Sequence, residues 1–257
     1  MIESILLGIL QGLTEFLPVS SSGHLVLAQE RLSGFHGPAV AFDVLLHGGT
    51  LAAVLIYFRR DLYQMARDLA RPAEGGWRLP ALLTIGSIPS GIVGVFLSDV
   101  IRPLFTVPKV ASGGLIVTGC VLTAAWRIRG RGHRSLTDLT VWSTLAIGMA
   151  QALAILPGIS RSGSTIAMGM FLGFSGKEAA RFSFLLSIPA ISGALLLQFG
   201  VLSQGGIPLV YLVGALSAAL TGWASVAFLM KILDRENLLP FAVYSLALGS
   251  LSLMILV

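Results

Sequence analysis

Two apolar runs of this chain break in the same manner, 140 residues apart. The first reads Gln11-Gly12-Leu13-Thr14-Glu15-Phe16-Leu17-Pro18-Val19-Ser20-Ser21-Ser22-Gly23-His24. The second reads Gln151-Ala152-Leu153-Ala154-Ile155-Leu156-Pro157-Gly158-Ile159-Ser160-Arg161-Ser162-Gly163-Ser164-Thr165. On that offset Gly8, Gln11, Leu13, Ser20, Ser22 and Gly23 fall on Gly148, Gln151, Leu153, Ser160, Ser162 and Gly163, and more thinly Phe42, Leu45 and Leu46 fall on Phe182, Leu185 and Leu186. Each stretch is an apolar run, a proline, and a Ser/Gly cluster around one ionisable side chain. Irregular backbone at membrane depth is tolerated only where protein or a water-filled cavity lines it. Paired broken segments in two halves of a membrane chain point to a site where the halves meet.

The membrane setting follows from composition. Of 257 residues, 55% are hydrophobic and 11% charged, where a soluble domain carries about a quarter charged. Residues 40–58, 80–101, 110–126, 179–201, 208–230 and 239–257 read as full spans. Residues 1–32 hold two pieces too short to span, Ile5–Leu17 and Leu25–Leu32, and read as a re-entrant helix–loop–helix. Residues 141–174 repeat that pattern, with a run to Leu156, the break Pro157–Thr165 and then Ile166–Phe174. The expected fold is an all-α integral membrane protein with about six transmembrane helices and two re-entrant hairpins. It forms one membrane domain over 1–257, with 1–126 and 141–257 as inverted repeats. Cys120, alone of its kind, reads as a small core residue.

The net charge of +5 is no nucleic-acid stripe, because the basic residues sit in loops. Loop 59–78 holds Arg59, Arg60, Arg67, Arg71 and Arg78; loop 127–140 holds Arg127, Arg129, Arg131 and Arg134. With Lys177, Arg181, Lys231 and Arg235 these make thirteen on one side if both hairpins return to the side they enter from, against Arg31, Arg102 and Lys109 opposite. The positive-inside rule then puts both termini outside, and the two hairpins enter from opposite faces.

The residues able to do chemistry cluster in the breaks. A carboxylate at the centre of a membrane helix costs about 2.5–3.5 kcal/mol on insertion scales, so Glu15 needs compensation. Gln11 lies one turn earlier on the same face. Glu15 reads either as a hydrogen-bonded structural group or as a proton-transfer group or metal ligand. In Ser20-Ser21-Ser22-Gly23-His24, small residues free backbone N–H groups for anionic oxygens. His24 is there a nucleophile or general acid/base. Arg161 offers a planar donor fork that fits phosphate, flanked by Ser160, Ser162, Gly163 and Thr165 and by the start of a helix. A structural Arg161–Glu15 ion pair is the alternative. Asp43 and His47, at i and i+4 on a span, read equally as site wall or packing pair. Ser175 and Glu178 have capping-box spacing.

These motifs resemble the undecaprenyl-diphosphate phosphatase family, also called bacitracin-resistance proteins. The family's Glu/Gln-x-x-x-Glu is read here as Gln11 to Glu15, followed by Pro-Val-Ser-Ser-x-Gly-His at Pro18–His24. Its Pro-Gly-x-Ser-Arg-Ser-x-x-Thr fits Pro157–Thr165 at every fixed position. Gln11 stands where some members carry Glu, so Glu15 would hold any proton or metal role. The resemblance covers essentially the whole chain. It implies hydrolysis of the C55 polyprenyl diphosphate to the monophosphate, in the bacterial inner membrane, at a site open to the outer face. It implies Ser21 as nucleophile position, with His24, Glu15 and Arg161 as the catalytic group. It also implies support by a divalent cation, Mg²⁺ or Ca²⁺, with Glu15 as the ligand at hand. The expected phosphate-binding set is Ser20, Ser22, Gly23, Ser160, Arg161, Ser162, Gly163 and Thr165, supported by Gln11, Asp43 and His47. Expected partners are the polyprenyl diphosphate and membrane lipid, not nucleic acid; a homodimer is left open.

Two rivals stand beside this reading. Membrane acid phosphatases also carry Ser-Gly-His and Ser-Arg motifs but need a second His after the Ser-Arg, and none follows Arg161. A transporter that flips a lipid phosphate would use the same inverted, broken helices.

Overall fold

The computed structural model describes residues 1–31, 39–70, 75–203 and 208–256. Arg71 and the expected segment ends at 32 and 257 lie outside them. The described residues form helices and turns, with one isolated bridge, Arg134 to Phe174.

Helix α1 (Ile2–Phe16) stops where the sequence expects. Pro18 disfavours helical backbone in the residue before it, and Leu17 is extended at φ −63°, ψ 141°. Helix α2 (Ser21–Arg31) follows. Then come α3 (Ala39–Tyr57), α4 (Arg59–Leu69), α5 (Arg78–Phe96), the short α6 (Ser98–Ile101) and α7 (Pro108–Arg127). The second half opens with α8 (Val141–Leu153), breaks, and resumes with α9 (Arg161–Phe171). It continues through α10 (Gly176–Ser203), α11 (Leu209–Leu233) and α12 (Leu239–Ile255). Both short pairs thus fall at the expected breaks.

The multi-pass character is carried by α5, α7, α10 and α11, each long and apolar enough to cross a bilayer alone. A fifth crossing counts α3 together with α4, from which it is bent by 71°. Helix α12, with 17 residues, is shorter than the roughly 20 of a full crossing. The six expected spans therefore all appear as helices, of unequal reach. Helix α4 falls in the segment read as a loop. None of its residues is buried, and Arg181 of α10 donates to its Asp61 through Nε at 2.8 Å.

Helix α1 packs on α11, α8 on α5, and α7 on α12. Gly8 and Gly148 make the first two contacts close: a Cβ on Gly8 would lie 2.9 Å from the Ser217 Cβ, and one on Gly148 3.0 Å from the Gly86 carbonyl carbon. Any side chain there would push the helices apart. The main core runs from Phe16 through Phe58, Phe182 and Phe184 to Leu229 and Leu233, all nearly solvent-free. Cys120 is exposed rather than in this core. It sits on the outer face of α7, and a face meant for lipid has the same apolar composition as one meant for protein.

Candidate active site

Both breaks are built by one device. Ser160 caps α9, its Oγ accepting from the Gly163 N–H at 3.0 Å and lying 3.2 Å from Ser162 Oγ. Ser20 does the same for α2, accepting from the Gly23 N–H at 3.3 Å and lying 3.2 Å from Ser22 Oγ. An N-cap hydroxyl satisfies one of the helix's orphan N–H groups. Ser20 adopts φ 69°, a left-handed conformation that non-glycine residues enter at a cost and that clusters at functional sites. Gly158 has φ +86°, and a Cβ on Gly23 would come within 3.0 Å of its Cα. The two tips therefore touch.

Glu15 lies where they touch, and the first residue of each capped helix reaches it. Ser21 Oγ donates to Glu15 Oε2 at 2.5 Å, and Arg161 Nη2 donates to Oε1 at 2.8 Å. Gln11 Nε2 adds a bond to Oε2 at 3.0 Å. His47 Nε2 stands 3.7 Å from the same oxygen, while its Nδ1 is 2.7 Å from the Asp43 carbonyl. Glu15 is 7% exposed, so it is compensated as a buried carboxylate must be. Arg161 keeps a second nitrogen, Nη1, buried and without a partner. An orphaned buried donor on a fixed cation is set to receive an oxyanion.

The expected site residues separate into two groups. Glu15, Ser21, Arg161, Gln11 and His47 meet at one point. Ser20, Ser160 and Ser162 spend their hydroxyls on the caps, and Ser162 also donates to the Leu17 carbonyl at 3.3 Å. Thr165 points away from Glu15, its Oγ1 2.8 Å from the Arg161 carbonyl and 2.5 Å from Ser183 Oγ. Ser22 spans the tips, accepting from the Gly158 N–H at 3.4 Å. Asp43 contributes its backbone carbonyl to His47. Ser175 caps at 3.4 Å as its spacing implied, but the Glu178 carboxylate accepts from the Leu136 N–H at 3.1 Å instead of closing the box.

His24 is not bonded to Ser21. Its Nδ1 is 2.7 Å from the Ser20 carbonyl, and its Nε2 is 2.7 Å from the Tyr244 hydroxyl of α12. Sequence reading missed Tyr244; the available signal was a hydroxyl-bearing aromatic in a helix without charged residues. It also missed Thr118 of α7, which accepts from the Ser160 N–H and donates to the Gly158 carbonyl, both at 2.9 Å.

Among the described residues no group of three or more His, Cys, Asp or Glu side chains is placed to hold a metal ion. Both oxygens of Glu15 are engaged, one by a guanidinium that would repel a cation. This donor set does not fit an ion held by the chain alone.

Comparison with known proteins identifies the family. The sequence profile of the bacitracin resistance protein BacA family matches residues 4–251. The chain is similar to the undecaprenyl-diphosphatase of Syntrophotalea carbinolica, at 48% identity over 97% of both chains. It is similar to that of Thermomicrobium roseum, at 46% identity over 98% of this chain and 97% of the relative. It is similar to that of Desulfosudis oleivorans, at 45% identity over 99% and 98%. With a family match over nearly its whole length, the chain belongs to the bacitracin resistance protein BacA family.

Proposed function

We propose that the chain hydrolyses undecaprenyl diphosphate to the monophosphate and inorganic phosphate, recycling the lipid carrier of cell-wall synthesis and thereby conferring bacitracin resistance. The observation that carries this is the bond from Ser21 Oγ to Glu15 Oε2 at 2.5 Å, beside an Arg161 whose Nη1 is unpartnered. A hydroxyl beside a carboxylate base is an activated nucleophile. A buried guanidinium supplies the positioning and charge that phosphoryl transfer needs.

In the first step Ser21 Oγ attacks the terminal phosphorus and its proton passes to Glu15. The bond to the bridging oxygen breaks, and the lipid monophosphate leaves as an anion. Arg161 Nη1 holds a phosphoryl oxygen while Nη2 stays on Glu15. In the second step water attacks the phosphoserine and gives its proton to His24 Nε2. The Ser21 oxygen leaves and recovers its proton from Glu15, inorganic phosphate departs, and His24 gives its proton to solvent. Any divalent cation, Mg²⁺ or Ca²⁺, would be held by the diphosphate oxygens rather than by the chain, and would offset phosphoryl charge. The remaining residues of the two caps act by holding the tips together.

The membrane is the bacterial inner membrane, and the site opens to its outer face. The halves 1–126 and 141–257 are inverted copies, a reading supported by the matching caps at Ser20 and Ser160. The test is phosphate release from undecaprenyl diphosphate by the purified chain, with Arg161→Ala alongside. Release by the parent and its loss in the variant is expected. Transfer of lipid phosphate across vesicles without phosphate release would replace hydrolysis by transport.

A further inference from the structure

His24 has two nitrogens and two partners of different kind. The Ser20 carbonyl, 2.7 Å from Nδ1, can only accept, so Nδ1 carries the hydrogen. In the neutral ring Nε2 is then a lone pair, and the Tyr244 hydroxyl at 2.7 Å donates to it. The rings are nearly parallel, with 5° between their planes. His24 is 7% exposed and Tyr244 46%. The tyrosine thus lies on the outer side of α12 and sends only its hydroxyl inward. That hydroxyl has no other hydrogen-bond partner among the described residues.

We infer that Tyr244 is a positioning residue for His24: with the Ser20 carbonyl on Nδ1, its hydroxyl on Nε2 fixes the ring's orientation and keeps the lone pair on Nε2, the nitrogen that the second step uses as base. The inference rests on the reading of His24 as the base of the second step. The hydroxyl occupies the lone-pair direction until the attacking water takes its place, so the base arrives already in the needed protonation state. Ring orientation by a second hydrogen bond is how protein sites fix which imidazole nitrogen acts. Glu15 cannot serve as this partner, because it is bonded to Ser21 and Arg161.

The test uses the full chain in lipid nanodiscs, comparing Tyr244→Phe with the parent. The variant keeps the ring and removes one hydrogen bond of ordinary strength. We expect kcat to fall about three- to tenfold, with KM and the thermal midpoint unchanged. ¹⁵N-histidine labelling gives a second readout, since the chain has four histidines and the His24 signals are those lost in His24→Ala. The Nε2 resonance of His24 should report an unprotonated nitrogen in the parent and shift in Tyr244→Phe. An unshifted resonance, or a kcat within twofold of the parent, overturns the inference. So does a fall in the thermal midpoint alone, which would make the contact a strap between α2 and α12. A parental rate in His24→Ala would instead overturn His24 as the base, and the resonance would still decide whether Tyr244 bonds its Nε2.

Discussion

Glu15 and Arg161 neutralise each other at 2.8 Å in a site where neither meets bulk water freely. Removing one partner leaves an uncompensated buried charge, which costs about 3–5 kcal/mol. Glu15→Gln and Arg161→Gln should therefore each lower the thermal midpoint. The double variant should recover part of that loss while remaining inactive. Thermal unfolding and phosphate release on the same preparations check this, and a double variant less stable than both singles would contradict it. Arg161→Lys keeps the charge but loses the fork, one prong on Glu15 and one free. Its rate should drop at least about a hundredfold, roughly 2.7 kcal/mol of transition-state stabilisation. Ser21→Ala should be nearly inactive, and a quenched single turnover of the parent should leave acid-stable label on serine. Acid-labile label would transfer the attack to His24.

At the level of elements, the breaks were readable because proline and N-cap serines act locally: Pro18 sets Leu17, and Ser20 and Ser160 set the helices that follow. What a residue touches across the fold was not readable. Ser21 and His24 are three apart on one helix, yet Ser21 turns to Glu15 across the tip and His24 turns to α12. Helix α4 was missed because its charge-rich sequence, with no residue buried, has the composition of a loop. The turn at Leu136–Asp138 shows the same local logic in a testable form. The Ser135 N–H bonded to Asp138 at 2.8 Å holds its carboxyl below the ordinary value. A lowered carboxyl pKa stabilises the fold above the unfolded value, about 3.9, and that contribution is lost as pH falls through the folded one. The thermal midpoint of Asp138→Ala should lie below the parent's at neutral pH and converge with it in acid. A gap that persists there would assign the effect to something other than the charge.

For the whole molecule, orientation is the property that loop charges predict and that cysteine labelling can read. In a Cys120→Ser background, a cysteine at Thr106 should react with a membrane-impermeant thiol reagent in intact cells and one at Gly130 should not; both positions are exposed. Labelling at 130 would turn the molecule over. The apolar runs were legible as helices, though only four of the six expected spans are long and apolar enough to cross alone; the convergence of both tips on one carboxylate was not legible, because it depends on contacts between halves. That convergence bears on how the protein is made. Glu15 and the guanidinium that neutralises it are 146 residues apart, so a chain under synthesis holds the carboxylate long before its counter-charge exists. A piece too short to cross can be withdrawn from the bilayer, so the first hairpin should remain in contact with water until the second arrives. On ribosome-bound chains ending at residue 140, a cysteine replacing Ser22 should label readily, and it should become protected once the chain extends well past Arg161. Protection already at 140 residues would mean that the first hairpin finds another partner while it waits.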